Sequence, residues 1–122
     1  MGDAGTILTS SNGTSWTSRN SGQSDALSGI AYGNSIFVIT GRGVILTSSD
    51  GTNWTTRASG GGWKHGVIYA NSQFVAVGEN GTILTSSNGT SWTSRTSGES
   101  DALSGIDYGN SIFVISGRGG VI

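Results

Sequence analysis

Apolar positions along this chain come in short bursts separated by clusters of Gly, Ser, Asn and Asp. In the middle of the chain the bursts read ILTSS from Ile45, NWTTR ending at Arg57, WKHGVIY from Trp63 and QFVAV from Gln73. Short segments rich in Ile, Val, Thr, Phe and Trp, punctuated by Asn-Gly, Asp-Gly and Gly-Asn turns, predict antiparallel strands joined as hairpins. No stretch sustains apolar residues at i, i+3 and i+4, so no helix is expected. The runs IFVI at Ile36–Ile39 and Ile112–Ile115 are apolar without alternation. That pattern predicts strands covered on both faces, with small sheets sandwiched between neighbours.

The bursts repeat. GTILTSSNGTSW runs from Gly5 to Trp16 and returns letter for letter from Gly81 to Trp92, with GVILTSSDGTNW between them at Gly43 to Trp54. Gly5, Gly43 and Gly81 stand at a constant spacing of 38 residues, and Gly120 opens a fourth copy. The first and third copies differ at four positions: Asn20/Thr96, Gln23/Glu99, Ala31/Asp107 and Thr40/Ser116. The middle copy diverges more. Its loop GEN before Gly81 is one residue longer than GR before Gly43, and a one-residue deletion before Tyr69 compensates. Trp63, Lys64 and His65 have no counterpart in the alignment of the copies.

Four strands per roughly 40 residues, repeated and stacked face to face, is the signature of an all-β fold of the β-propeller type. A β-solenoid is the alternative, but it does not need the strict turn–Trp hairpin. The chain is expected to be one domain, residues 1–122, with repeats at about 5–42, 43–80 and 81–119. Propellers have roughly four to eight four-stranded blades, so three repeats do not close. The frame is also offset, which makes the two ends complementary halves of one blade. Joined head to tail, two chains would close a six-bladed ring as a homodimer. A fragment of a longer propeller is the plainer alternative.

Composition narrows the function. The chain has 22 Gly, no Pro, no Cys, four Trp, three Tyr and three Phe. Aromatic anchors argue against a disordered Gly/Ser chain. Lack of cysteine excludes disulfides and thiolate metal sites. A net charge of −1 gives no basic stripe for nucleic acid and no cationic face for a membrane surface, so neither partner is expected. No apolar run approaches a membrane span, and MGDAGTILTSS does not read as a signal peptide.

At its hairpins the chain resembles the Asp-box (BNR) repeat propellers, a group that includes sialidases and photosystem II stability/assembly factor-like proteins. The family motif is Ser-x-Asp-x-Gly-x-Thr-Trp. Ser48, Asp50, Gly51 and Trp54 match it in order, as do Ser10, Asn12, Gly13 and Trp16, and Ser86, Asn88, Gly89 and Trp92. All three copies are one residue short between the acid and the Trp, and two carry Asn for Asp. The resemblance implies a structural role for Asn12, Trp16, Asp50, Trp54, Asn88 and Trp92. In physical terms the Asp or Asn caps its turn, the Gly takes positive φ, and the Trp ring packs between sheets.

Alternating strand direction sorts the connections onto two faces. One carries the Asp-box turns and the YGNS turns. The other carries Arg42, Glu79, Arg118, Asp25, Asp101 and Glu99, together with Trp63, Lys64 and His65. Trp63 offers a stacking surface to a sugar ring or a peptide, with Lys64 and His65 supplying hydrogen bonds. The plainer alternative is that Trp63 fills the space of Ala26 and Leu27. Enzyme chemistry is not expected: one His makes no metal cluster alone, and Arg19, Arg57 and Arg95 recur once per repeat, which suits structure better than a substrate clamp. No cofactor is implied. The expected function is a non-catalytic, self-assembling binding or scaffold module, lectin-like in using equivalent sites for carbohydrate or protein. The alternatives are a repeat product whose only property is assembly, and a piece of an Asp-box glycoside hydrolase.

Overall fold

The computed structural model describes residues 5–118, with side chains described at all of these but 58–61. The opening of a fourth copy at Gly120 lies outside the described residues. Ten strands follow in order: β1 (Ile7–Thr9), β2 (Thr17–Arg19), β3 (Leu27–Gly33), β4 (Ile36–Ser48), β5 (Thr55–Ala70), β6 (Gln73–Gly78), β7 (Thr82–Ser86), β8 (Thr93–Arg95), β9 (Leu103–Gly109) and β10 (Ile112–Gly117). A 3-10 turn, Glu79–Gly81, links β6 to β7. The described residues contain no α-helix, and every strand pair is antiparallel. The fold is all-β.

Strands β3 to β8 hydrogen-bond in chain order, β1 pairs only with β2, and β9 only with β10. Among the described residues no sheet closes on itself. Two elements depart from the expected short pieces, since β4 spans 13 residues and β5 spans 16. Both turn a corner within the strand. Gly43, inside β4, has φ +72°, a left-handed value that glycine adopts without strain. Beyond it the chain doubles back: Val38 and Ile45 share one core cluster, while Ile39, Val44 and Leu46 share the other. Backbone pairing to β5 continues through the corner, with Arg42 opposite Trp63. The β5 strand then leaves β4 and pairs with β6 from Lys64 to Ala70. The result is a meander that turns from one packed layer into the next.

The tight turns are centred one residue later than the sequence suggests. Gly33 pairs with Ile36, so Asn34 and Ser35 form the loop, both at positive φ (49° and 64°). Asn71–Ser72 and Asn110–Ser111 repeat this geometry. Positive φ at both central residues is the type I′ arrangement, whose twist suits a hairpin.

The core lies between layers. Val38 and Ile39 are both fully buried on opposite sides of β4, as expected for IFVI at Ile36–Ile39. The second IFVI behaves differently. Position for position, Val38 is 0 % exposed, Val75 5 % and Val114 43 %, because among the described residues no sheet stacks on the outer side of β10. Neighbouring layers come closest at glycines: a Cβ on Gly29 would lie 3.3 Å from the Gly66 Cα.

Candidate functional site

Each Asp-box hairpin is a small hydrogen-bonded knot. In the middle copy the backbone N–H groups of Thr52 and Asn53 donate to Asp50 Oδ1 at 2.8 and 2.9 Å, and the Gly51 N–H donates to Ser48 Oγ at 2.8 Å. Asn12 and Asn88 accept the corresponding pairs at 2.8 and 3.0 Å. The turn therefore needs a side-chain oxygen at this position and not a charge. In Asp50 the charge has a consequence: the N–H groups of Asn53 and Thr52, then the Ser48 hydroxyl, hold its carboxyl well below the ordinary value of 3.8. Trp54 and Trp92 fold back and donate Nε1 to the carbonyls of Gly51 and Gly89 at 3.0 and 2.9 Å. Arg19, Arg57 and Arg95 each donate Nε to a threonine of the paired strand, Thr9, Thr47 and Thr85, at 2.8–2.9 Å. Every repeat thus engages its own arginine.

The opposite face holds the divergent segment. Register gives Trp63, Lys64 and His65 the counterparts that the alignment denied them. Lys64 pairs with Gly78 as Leu27 pairs with Gly41 and Leu103 with Gly117. Trp63 thus stands where the other copies have Ala26 and Ala102, and His65 where they have Ser28 and Ser104. The alignment missed this because the one-residue deletion falls in a run of glycines, where letters cannot fix its place.

Strand alternation decides what each side chain does. Trp63 and His65 point to the same side and stack, 5.5 Å between ring centroids at 26°. Trp63 donates Nε1 to Ser28 Oγ at 3.1 Å, and the Arg42 guanidinium lies 5.9 Å from its ring. Lys64 points the other way into the leucine position, is only 6 % exposed, and donates Nζ to the Gly62 carbonyl at 3.3 Å. Burial pushes its ammonium below the ordinary value of 10.5. Lys64, expected to supply hydrogen bonds to a ligand beside Trp63, does not line the cleft described next.

The GEN loop, one residue longer than GR in the first copy, folds onto this segment. Its extra residue makes the 3-10 turn, with Asn80 at φ +59°, and sets Glu79 Oε1 to accept the Trp63 N–H at 3.1 Å. Together with the 97–102 loop and Arg118, these residues line an open cleft of about 490 Å³: Trp63, His65, Glu79, Asn80, Ser100, Asp101, Ala102 and Arg118. Of the six residues expected from sequence, four line this cleft, Arg42 flanks Trp63, and Lys64 is turned away. Asn80 and Ser100 complete the lining, and nothing about an Asn or Ser in a loop marks it as part of a binding site. Asp25 and Glu99 are not among the lining residues. Among the described residues no group of His, Asp and Glu is arranged to hold a metal ion. Comparison with protein-family models, curated proteins and solved structures finds no match to this chain.

Proposed function

We propose that this protein is a non-catalytic β-propeller scaffold that assembles from two copies into a six-bladed ring and presents ligand clefts on one face. One observation carries the assembly. Twice a Tyr–Phe hairpin is completed by the tryptophan of the following repeat: Tyr32–Phe37–Trp54 at 4.6 and 6.4 Å, and Tyr69–Phe74–Trp92 at 4.7 and 6.3 Å. The last such hairpin, Tyr108–Phe113 at 4.6 Å, has no tryptophan after it among the described residues. The tryptophan left over is Trp16, 57 % exposed and without a hydrogen bond or ring contact among the described residues. Phe113 on β10, which lacks a tryptophan neighbour among the described residues, and Trp16 beside β1–β2, which lacks a phenylalanine, correspond to the two halves of the contact made twice elsewhere. Exposed Leu8, Ile112 and Val114 accompany them, and free strand edges of this kind invite pairing with another chain.

By analogy with β6–β7, where Val75 faces Thr85, the proposed pairing would set Val114 of one copy opposite Thr9 of the next. The chain contains no cysteine, so the test is clean. Val114→Cys protein mixed with Thr9→Cys protein should give a disulfide-linked heterodimer under mild oxidation. Val114→Cys mixed with Leu8→Cys, one residue out of register, should give far less. Equal cross-linking of both mixtures, or none of either, would contradict the pairing.

The non-catalytic part is supported by Arg19, Arg57 and Arg95, each engaged with its own threonine rather than gathered as a clamp for a substrate carboxylate. The identity of the first and third hairpins favours a second reading, in which assembly is the only property. Ligand binding at the Trp63 cleft separates the two.

A further inference from the structure

We propose that the cleft lined by Trp63, His65, Glu79, Asp101 and Arg118 binds a neutral pyranose sugar. The inference rests on reading this face as the binding face, but not on ring closure, because one chain supplies every lining residue.

The Trp63–His65 segment, which sets the middle repeat apart from the other two, meets the Glu79–Asn80 turn at this cleft. The two are joined by the Trp63 N–H to Glu79 bond of 3.1 Å. Where the other copies have alanine, this repeat has a tryptophan fixed by Ser28, His65 and Arg42. An immobilised aromatic surface gives contact area at low entropic cost. Around it stand planar groups with paired donors or acceptors: the carboxylates of Glu79 and Asp101, the amide of Asn80 and the guanidinium of Arg118. Vicinal hydroxyls match such forks two at a time, while the C–H face of a sugar ring matches an indole. Carboxylates opposed by an arginine disfavour an anionic sugar and, equally, a cationic side chain. A neutral ring with several hydroxyls fits the whole set.

Titration calorimetry tests this with free glucose, galactose, mannose and N-acetylglucosamine as neutral probes, N-acetylneuraminic acid as the anionic probe and arginine methyl ester as the cationic one. At least one neutral sugar should bind saturably, at one site per chain and in the millimolar range usual for a single open site. Trp63→Ala should weaken it about tenfold or more, a change of roughly 1.4 kcal/mol, and Asp101→Asn should do likewise. Trp63→Ala reproduces Ala26 and Ala102 and so should fold. Asp101 is exposed, which makes it a second variant without a folding risk. Binding persists in Trp16→Ala protein even where assembly is lost, so the two readings fail separately. The proposal is overturned if no neutral sugar binds, if a charged probe binds better, or if neither variant weakens binding.

Discussion

Residues 5–19 and 81–95 are identical in sequence and form the same hairpin, yet they live in different surroundings. In the second, β7 pairs on both edges, Leu84 and Trp92 pack against a buried cluster, and Trp92 Nε1 reaches the Gly89 carbonyl. In the first, β1 pairs on one edge only, and Leu8 and Trp16 are exposed. Local hydrogen bonds within the two turns agree to within about 0.1 Å, as in Gly13 and Gly89 donating to Ser10 and Ser86 at 2.7 Å. Turn geometry is therefore set by the letters, and burial by what stands next to them. The difference is the size of one missing neighbour.

The largest effect should come from the two tryptophans. Trp92→Ala should cost about 2–3 kcal/mol, less than a fully buried ring because Trp92 is half-buried. Trp16→Ala should cost well under half of that in dilute protein, read by urea unfolding, but should grow with concentration as assembly sets in. Equal costs at low concentration would break the comparison. The next position to exchange is Thr40, whose hydroxyl is buried without a partner among the described residues where the middle copy has Val77, fully buried. Thr40→Val should stabilise by about 1–2 kcal/mol, since it removes a buried hydroxyl with no such partner, and a loss in melting temperature would contradict this.

Lys64 makes the same point for charge. Leu27 and Leu103 occupy its position in the other layers, both buried. Lys64→Leu should stabilise by about 1 kcal/mol at neutral pH. Its lowered pKa fixes the pH dependence. The unfolded chain holds the proton up to the ordinary value of 10.5, and the folded chain releases it earlier, so native stability rises with pH in the window below 10.5. The leucine variant should lose that slope, and an unchanged slope would contradict the assignment. The smallest effect lies at Asp50. Its folded pKa is depressed, so its contribution is full above 3.8 and is lost as pH falls below that value. Asp50→Asn, the residue at Asn12 and Asn88, should keep the turn and flatten acid unfolding below pH 4. A variant as acid-sensitive as the parent would mean that other carboxylates dominate.

What the sequence disclosed follows the same division. The turn at Asp50, the threonine-bound Arg57 and the paired strands depend on residues near one another in the chain, and the repeat made them readable. Coverage of both faces was right for Val38–Ile39 and wrong for Val114, because an apolar run carries no record of what lies beside it. The buried placement of Lys64 was hidden by the glycine run that blurs the deletion. The meeting of Trp63 with Glu79 was hidden because it needs the corner in β5 and the 3-10 turn together. Asn34–Ser35 replaced the expected Gly-Asn turn because hydrogen-bond register, and not the glycine, sets the loop.

The central claim is that exposed Trp16 and Phe113, which has no tryptophan beside it among the described residues, belong to one contact made between two copies. Absolute mass by light scattering after size exclusion tests it directly. The chain mass is 12.4 kDa, so the account predicts twice that, 24.8 kDa, falling to the single-chain value in Trp16→Ala and in Phe113→Ala. A parent protein that stays at 12.4 kDa at high concentration, or spreads over a ladder of masses, would contradict it.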